Sequence, residues 1–260
     1  DAIARPVAES MGKQLGQQFL VDNRAGAGGN IGTAAAAKSA ADGYTLLVGT
    51  SATHGANQAL FKKLPYDPLG DFEPILLLGT APNVLVVNAE QGPKTLQQLI
   101  AQAKAAPGRI SYASAGTGTS SHLAAVQFEK AAGVELLHVP YKGGAPAQLD
   151  LLGGNVQMMF DVVSVSLGNL RAGKLRALAV ADGERSFALP DVKTMAEQGF
   201  KGVDSGTWAV LFAPKGTPAP VVDALRGAAA QALKEEPVLR VQRGNGVQPQ
   251  PLQGAQLRSF

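Results

Sequence analysis

The chain of 260 residues contains no cysteine. That excludes disulfide scaffolds and thiolate metal sites, and it is compatible with any compartment, an oxidising one included. Aromatic residues make up only 5% of the chain, and no basic block is interleaved with them, so a nucleic-acid surface is not expected. Charge is nearly balanced, with 23 Lys and Arg against 20 Asp and Glu; the formal +3 suits small anions without requiring a polyanionic partner. No apolar run approaches the roughly 20 residues of a membrane-spanning helix. The best candidate, PILLLGTAPNVLVVN at 74–88, is interrupted by Gly79, Pro82 and Asn83. No secretory leader pattern opens the chain.

What is plentiful is glycine, 31 residues with 16 prolines, which implies many tight turns joining short elements. Aliphatic runs alternate with Ala-rich stretches. Strands are expected at 19–22, 44–49, 74–79, 83–88, 109–114, 135–140, 156–161, 175–180 and 208–214. Helices are expected near 30–41, 53–62, 95–106, 119–132, 144–152, 164–173 and 193–198. Nearly continuous apolar strands separated by helices predict an α/β chain whose largely parallel sheet is covered on both faces. Thr95 and Ser164 are the expected helix caps, with Pro107-Gly108 and Gly173 as stops. The opening AIARPVAESMGKQLG reads as a helix, and the segment after Pro214 reads as successive helices that pack back on the first lobe.

Several chemistries can be tested against spacing. NRAGAGGNIG at 23–32 has the look of a dinucleotide turn, but counting from Gly26 the third glycine position is Ile31. The next strand ends in Gly49-Thr50, where a ribose-binding acid is needed. A tight connection explains the loop better. No lysine-serine pair follows a glycine run, which argues against nucleoside triphosphates. Around Ser120 only one side of a nucleophile elbow is present, Gly118 before and His122 after. A serine hydrolase using Ser120 and His122, with Asp161 as a third member, therefore stays open as a rival. His54, His122 and His138 show no zinc spacing, and no metal or cofactor is expected.

Holding an anion without chemistry remains. In SAGTGTSSHLA at 114–124, Gly116 and Gly118 permit close backbone approach, and a helix starting near Thr119 leaves its first amides unpaired. Thr117, Thr119 and Ser120 add hydroxyls able to donate to a carboxylate. The same loop also suits a phosphate, or a plain helix cap facing water. GTSATHG at 49–55 and FDVVS at 160–164, with Asp161, are two more polar strand ends, and HVPYKGG adds Lys142.

Taken in order, NRAGAGGNIG, DGYTLLVGTSATH, KLPYDPLGDFEPI, PNVLVVN, ISYASAGTGTSSHLA, HVPYKGGAPA, DLLGGNVQMMFD, LRAGKLRALAV and LPDVKTMAEQG give the chain its resemblance to a known family. It resembles the extracytoplasmic solute receptors of tripartite tricarboxylate transporters, often called Bug receptors. The resemblance implies a two-lobed type 2 periplasmic binding protein fold, a mixed, mostly parallel sheet in each lobe, and two crossing strands, NVLVVN and TWAVLFAP. Lobe 1 would comprise 1–86 and 207–260, and lobe 2 would comprise 87–206. It further implies a secreted periplasmic monomer, not an enzyme. Such a receptor takes up a small organic carboxylate (a di- or tricarboxylate, an acidic amino acid or an aromatic acid) in the cleft and presents it to integral membrane transporter subunits. A ligand-sensing receptor that feeds a signalling partner is the third reading. Carried over by position, Thr50 and Ser51 would approach from lobe 1. Gly116, Thr117, Gly118, Thr119 and Ser120 would line lobe 2, with Asp161, Tyr141 and Lys142 beside them. Family members carry a strand and a glycine-rich loop ahead of the aspartate matched by Asp1, and a last helix running beyond the position of Phe260, so a truncated sequence is expected.

Overall fold

The computed structural model describes residues 2–260; Asp1, matched above to a family aspartate, lies outside the described residues. The strands are β1 Leu47–Thr50, β2 Phe72–Asn88, β3 Ser111–Ser114, β4 Leu137–Pro140, β5 Met158–Val162, β6 Leu175–Ala181 and β7 Gly206–Pro214. The helices are α1 Ala4–Leu15, α2 Asn30–Ala37, α3 Asn57–Leu60, α4 Leu96–Ala105, α5 Ser120–Ala132, α6 Gly144–Leu152, α7 Val163–Arg171, α8 Ala219–Ala232, α9 Glu236–Gly244 and α10 Gly254–Ser259. The chain divides into two compact units, Asp1–Thr80 with Trp208–Phe260, and Ala81–Thr207. Both changeovers fall within single strands, β2 and β7.

Residues 81–207 show why the central strands read as unbroken apolar runs. Leu85 and Val87 of β2 join Tyr112, Met158 and Phe160 in one core under α4 and α5. Val84 and Val86 join Ala113 and Met159 in a second core under α6 and α7. Because successive side chains of a strand point to opposite faces, a strand with helices on both faces has no polar side. Strand direction is not encoded in such a run. β3 pairs in parallel with β4 and β5, whereas β2 pairs antiparallel with β5 and β6. The sheet is therefore mixed, as the resemblance implied, with its parallel pairing at β3, β4 and β5.

In the other unit, β7 lies between β1 and β2 and runs antiparallel to β1. Val7 and Met11 of α1 share a core with Leu76 and Leu78 of β2, Leu211 of β7 and Leu225 of α8. The helical segment after Pro214 thus packs within this unit. The expected strands at 74–79 and 83–88 are one strand; Thr80 pairs with Gln248 midway along it, which keeps its backbone satisfied. The expected strand at 19–22 is absent. Leu20 is 82% exposed, and the segment borders a groove of about 660 Å³ together with Leu47 and Val48 of β1. No strand among the described residues runs alongside it to complete a ladder, so β propensity alone does not form one.

Local capping follows the sequence at one helix and departs from it at another. Thr95 Oγ1 accepts from Gln98 N (3.2 Å) while Gln98 Oε1 accepts from Lys94 N (2.8 Å), a reciprocal cap. Ser164 caps nothing: α7 already begins at Val163, and the Asp161 carboxylate accepts from Val162 N (2.9 Å) just ahead of it.

Candidate functional site

The parallel strands β3, β4 and β5 end side by side, and the polar loops that follow them gather at those ends. Tyr141 N donates to Ser114 O, and Gly143 N donates to Ala115 O, each at 3.0 Å. The turn bearing Tyr141 and Lys142 is thereby tied to the loop bearing Gly116–Thr119. Asp161 stands near the end of β5, whose neighbour is β3. Gly116, Thr117, Gly118, Thr119, Ser120, Tyr141, Lys142 and Asp161 thus belong to one unit, while Thr50 and Ser51 belong to the other.

The loop before α5 spends some of its amides and leaves others. Gly116 (φ 133°) and Gly118 (φ 87°) hold backbone that a side chain would strain, which lets the loop fold onto itself. Ser121 Oγ accepts from Ala115 N (3.0 Å), Ser114 Oγ accepts from Gly116 N (3.2 Å), and His122 Nδ1 accepts from Gly118 N (3.3 Å). Thr119 N donates to Gly116 O (3.2 Å). Among the described residues, the amides of Thr117, Ser120, Ser121 and His122 have no acceptor. Three of these head α5, a helix of 13 residues, where the unpaired N–H groups carry partial positive charge.

The hydroxyls behave differently from the sequence expectation. Thr119 Oγ1 gives its proton to Gly116 O (2.6 Å), and Ser121 Oγ, 2.9 Å away, therefore donates to Thr119 Oγ1. Ser120 Oγ donates to Asn83 Oδ1 (3.4 Å). A hydroxyl has one proton, and neighbouring acceptors have taken those of Thr119 and Ser120. Thr117 alone of the three expected donors is exposed with no partner among the described residues.

Asp161 does not face an open site. It is 2% exposed, and its carboxylate accepts from Ser166 Oγ (2.7 Å), Gln148 Nε2 (3.0 Å) and Val162 N. Burial pushes its carboxyl up to about 6, against the lowering effect of those donors. Its role is to tie β5 to α6 and α7. Tyr141 donates its hydroxyl to Asp150 Oδ2 (2.5 Å), and burial together with that carboxylate raises the phenol to about 12. Lys142 is exposed and forms no ion pair among the described residues. In the other unit, Thr50 N donates to Thr53 Oγ1 (3.0 Å), and Ser51 O accepts from Ala56 N (3.0 Å), so both are built into the turn that leads to α3.

Residues that the sequence did not single out hold these loops. Asn83 is wholly buried; its only signal in the sequence is an amide heading an apolar run. Asn57 Nδ2 donates to Asn30 Oδ1 (2.6 Å) and Gly28 O (3.1 Å), and Tyr66 Oη lies 2.7 Å from Asn30 Oδ1. That network explains the 23–32 glycine loop as packing.

The histidines are apolar neighbours first. Tyr112, His138 and His122 form a stack with ring separations of 4.8 and 4.4 Å. His54 stacks on Phe212 at 4.1 Å. Burial lowers all three imidazoles, to about 4 for His54 and His138, with His122 adding to the effect at His138. A lowered imidazole favours the neutral folded form above about pH 6.5 and loses that stability as pH falls towards 4. Asp161, Glu129 and Asp204, all raised by burial, act in the opposite sense, whereas Glu197, lowered to about 2 by its hydrogen bond from Arg185, acts with the histidines. The melting temperature is expected to fall between pH 6.5 and 4. His54→Phe, which keeps the ring on Phe212, is expected to flatten that slope; parallel pH profiles for the variant and the parent would refute this assignment.

Residues 3–260 match the family described as tripartite tricarboxylate transporter family receptor. Among solved structures, the chain is similar to periplasmic binding protein BugD, at 38% identity and TM-score 0.91, covering 96% of this chain and 83% of that one. It is similar to MatC from Rhodopseudomonas palustris with bound malate, at 36% identity and TM-score 0.90, covering 96% and 85%. It is also similar to Rpa4515 of R. palustris with adipate, at 34% identity and TM-score 0.94, covering 99% and 86%.

Proposed function

This chain belongs to the receptor family of tripartite tricarboxylate transporters, and on that premise we propose that it captures a small organic carboxylate and releases it unchanged. The observation that carries the reading is the group of amides of Thr117, Ser120, Ser121 and His122, left without acceptors where β3 meets α5. Donors fixed by a helix start hold a carboxylate with little reorganisation. Malate and adipate in related receptors support an acid as the ligand class. The reading places the protein in the periplasm and makes membrane transporter subunits its partners.

Hydrolysis is disfavoured by proton positions. A Gly118 amide can only donate, so His122 Nδ1 is the acceptor and the proton of neutral His122 sits on Nε2. Neither nitrogen is then a free base, and the Ser120 hydroxyl already faces Asn83. Calorimetry with a panel of dicarboxylates, tricarboxylates, acidic amino acids and aromatic acids is expected to find at least one binder. Thr117→Ala is expected to weaken it by about fivefold, the effect of one hydrogen bond. A panel without a binder, or labelling of Ser120 by a serine-directed probe, would overturn the reading.

A further inference from the structure

We infer that Asn83 sets the hydrogen-bond polarity of Ser120, and that the site thereby selects acids bearing a hydroxyl or ammonium group next to the carboxylate. The inference rests on the carboxylate reading above and adds to it a determinant of specificity.

Ser120, Ser205 and Asn83 form a closed ring in which each proton can be assigned. The main-chain carbonyl of Ser120 can only accept, so Ser205 Oγ, 3.0 Å away, spends its single proton there. Ser205 Oγ must then accept from Asn83, which places the amide nitrogen of Asn83 on that side at 3.2 Å. The carbonyl oxygen of Asn83 consequently faces Ser120 Oγ, which donates to it. The orientation of the amide is therefore forced, not chosen. The backbone reinforces it, since Asn83 N donates to Ser205 O (2.9 Å) and Ser205 N donates to Ala181 O (2.9 Å). Asn83 is 0% exposed and cannot turn to water instead.

The consequence appears beside the unpaired amides. Ser120 N offers a proton, whereas Ser120 Oγ on the same residue offers only lone pairs. In the inferred pose, a carboxylate seated on the Ser120 amide would set its adjacent carbon beside the hydroxyl oxygen of the same residue. A hydroxyl or ammonium on this carbon satisfies the oxygen; a plain methylene leaves it without a donor. Discrimination of this kind comes from a polar group left unpaired by the wrong ligand.

The test uses matched acids measured by calorimetry: malate against succinate, 2-hydroxyglutarate against glutarate, aspartate against succinate. The substituted member is expected to bind about fivefold to tenfold more tightly, the effect of one hydrogen bond. Asn83→Leu frees the Ser120 proton to turn outward and is expected to bring the ratio near one. Ser205→Ala, which removes the acceptor that orients Asn83, is expected to reduce the ratio likewise and serves where Asn83→Leu does not fold. Loss of affinity for both members with the ratio preserved in both variants would make the ring merely structural and refute the inference. So would equal binding of paired acids by the parent protein, which leaves the carboxylate reading intact. No binding of any acid in the pairs or the wider panel would overturn both.

Discussion

Replacing Ser120 by proline is expected to weaken carboxylate binding by roughly tenfold to a hundredfold relative to Ser120→Ala, with α5 still folded. Ser120 is the first residue of α5, the one helical position where proline costs little because its N–H has no partner within the helix. The preceding Thr119 has φ −70° and ψ 161°, the extended conformation that a following proline requires. Both variants lose the hydroxyl, so their difference isolates a single amide. A hydrogen bond to a charged group contributes about 1.5–3 kcal/mol, which sets the expected range. Circular dichroism checks the helix, and calorimetry with a bound acid reads the affinity. Equal affinities for the alanine and proline variants would remove the Ser120 amide from the site.

Phe128→Ala is expected to destabilise the protein by about 3–5 kcal/mol, the range for emptying a buried phenylalanine position. Phe128 is wholly buried in α5, with its ring 5.8 Å from Phe160 and 6.3 Å from Phe200. The surrounding Tyr112, Leu85 and Met158 come from three strands of a hydrogen-bonded sheet, so the space cannot close by a small shift. Phe128 also lies more than two helical turns beyond Ser120, or about 12 Å along the axis. Affinity for a bound acid is therefore expected to survive at temperatures where the variant remains folded. Urea unfolding measures the first effect, and a loss under 1 kcal/mol would contradict the packing described here.

The two outcomes separate the cause of the fold from the cause of the site. Both elements of α5 were legible locally: its apolar positions and the glycine-hydroxyl cluster ahead of it. The Val84–Val87 run likewise announced a strand covered on both faces. Thr95 announced a cap, because a threonine three residues ahead of a glutamine satisfies orphan donors through its nearest neighbours alone. Such features depend on contacts a few residues apart, and the chain carries them wherever it goes.

What lay beyond the sequence was whatever depends on a distant partner. Residues 19–22 have the composition of a strand yet form none, since a ladder needs a neighbour. β2 is apolar on both sides whichever way it runs, so its antiparallel course emerged only from its pairing with β5 and β6. Asp161 looked like a ligand group until Ser166 and Gln148 closed around it. The hydroxyls of Thr119 and Ser120 looked like donors to a guest, but the direction of a hydroxyl proton is settled by the acceptors that surround it. For Ser120 that acceptor, Asn83, lies 37 residues away in the chain, and Ser205, whose hydroxyl donates to the Ser120 carbonyl and orients Asn83, lies 85 residues away. The sequence by itself determined the alternating elements, the resemblance and the glycine-hydroxyl loop proposed to hold an acid. The tertiary structure decided which amides remain free and which oxygens can only accept, because hydrogen bonding is an allocation among groups that folding alone brings together.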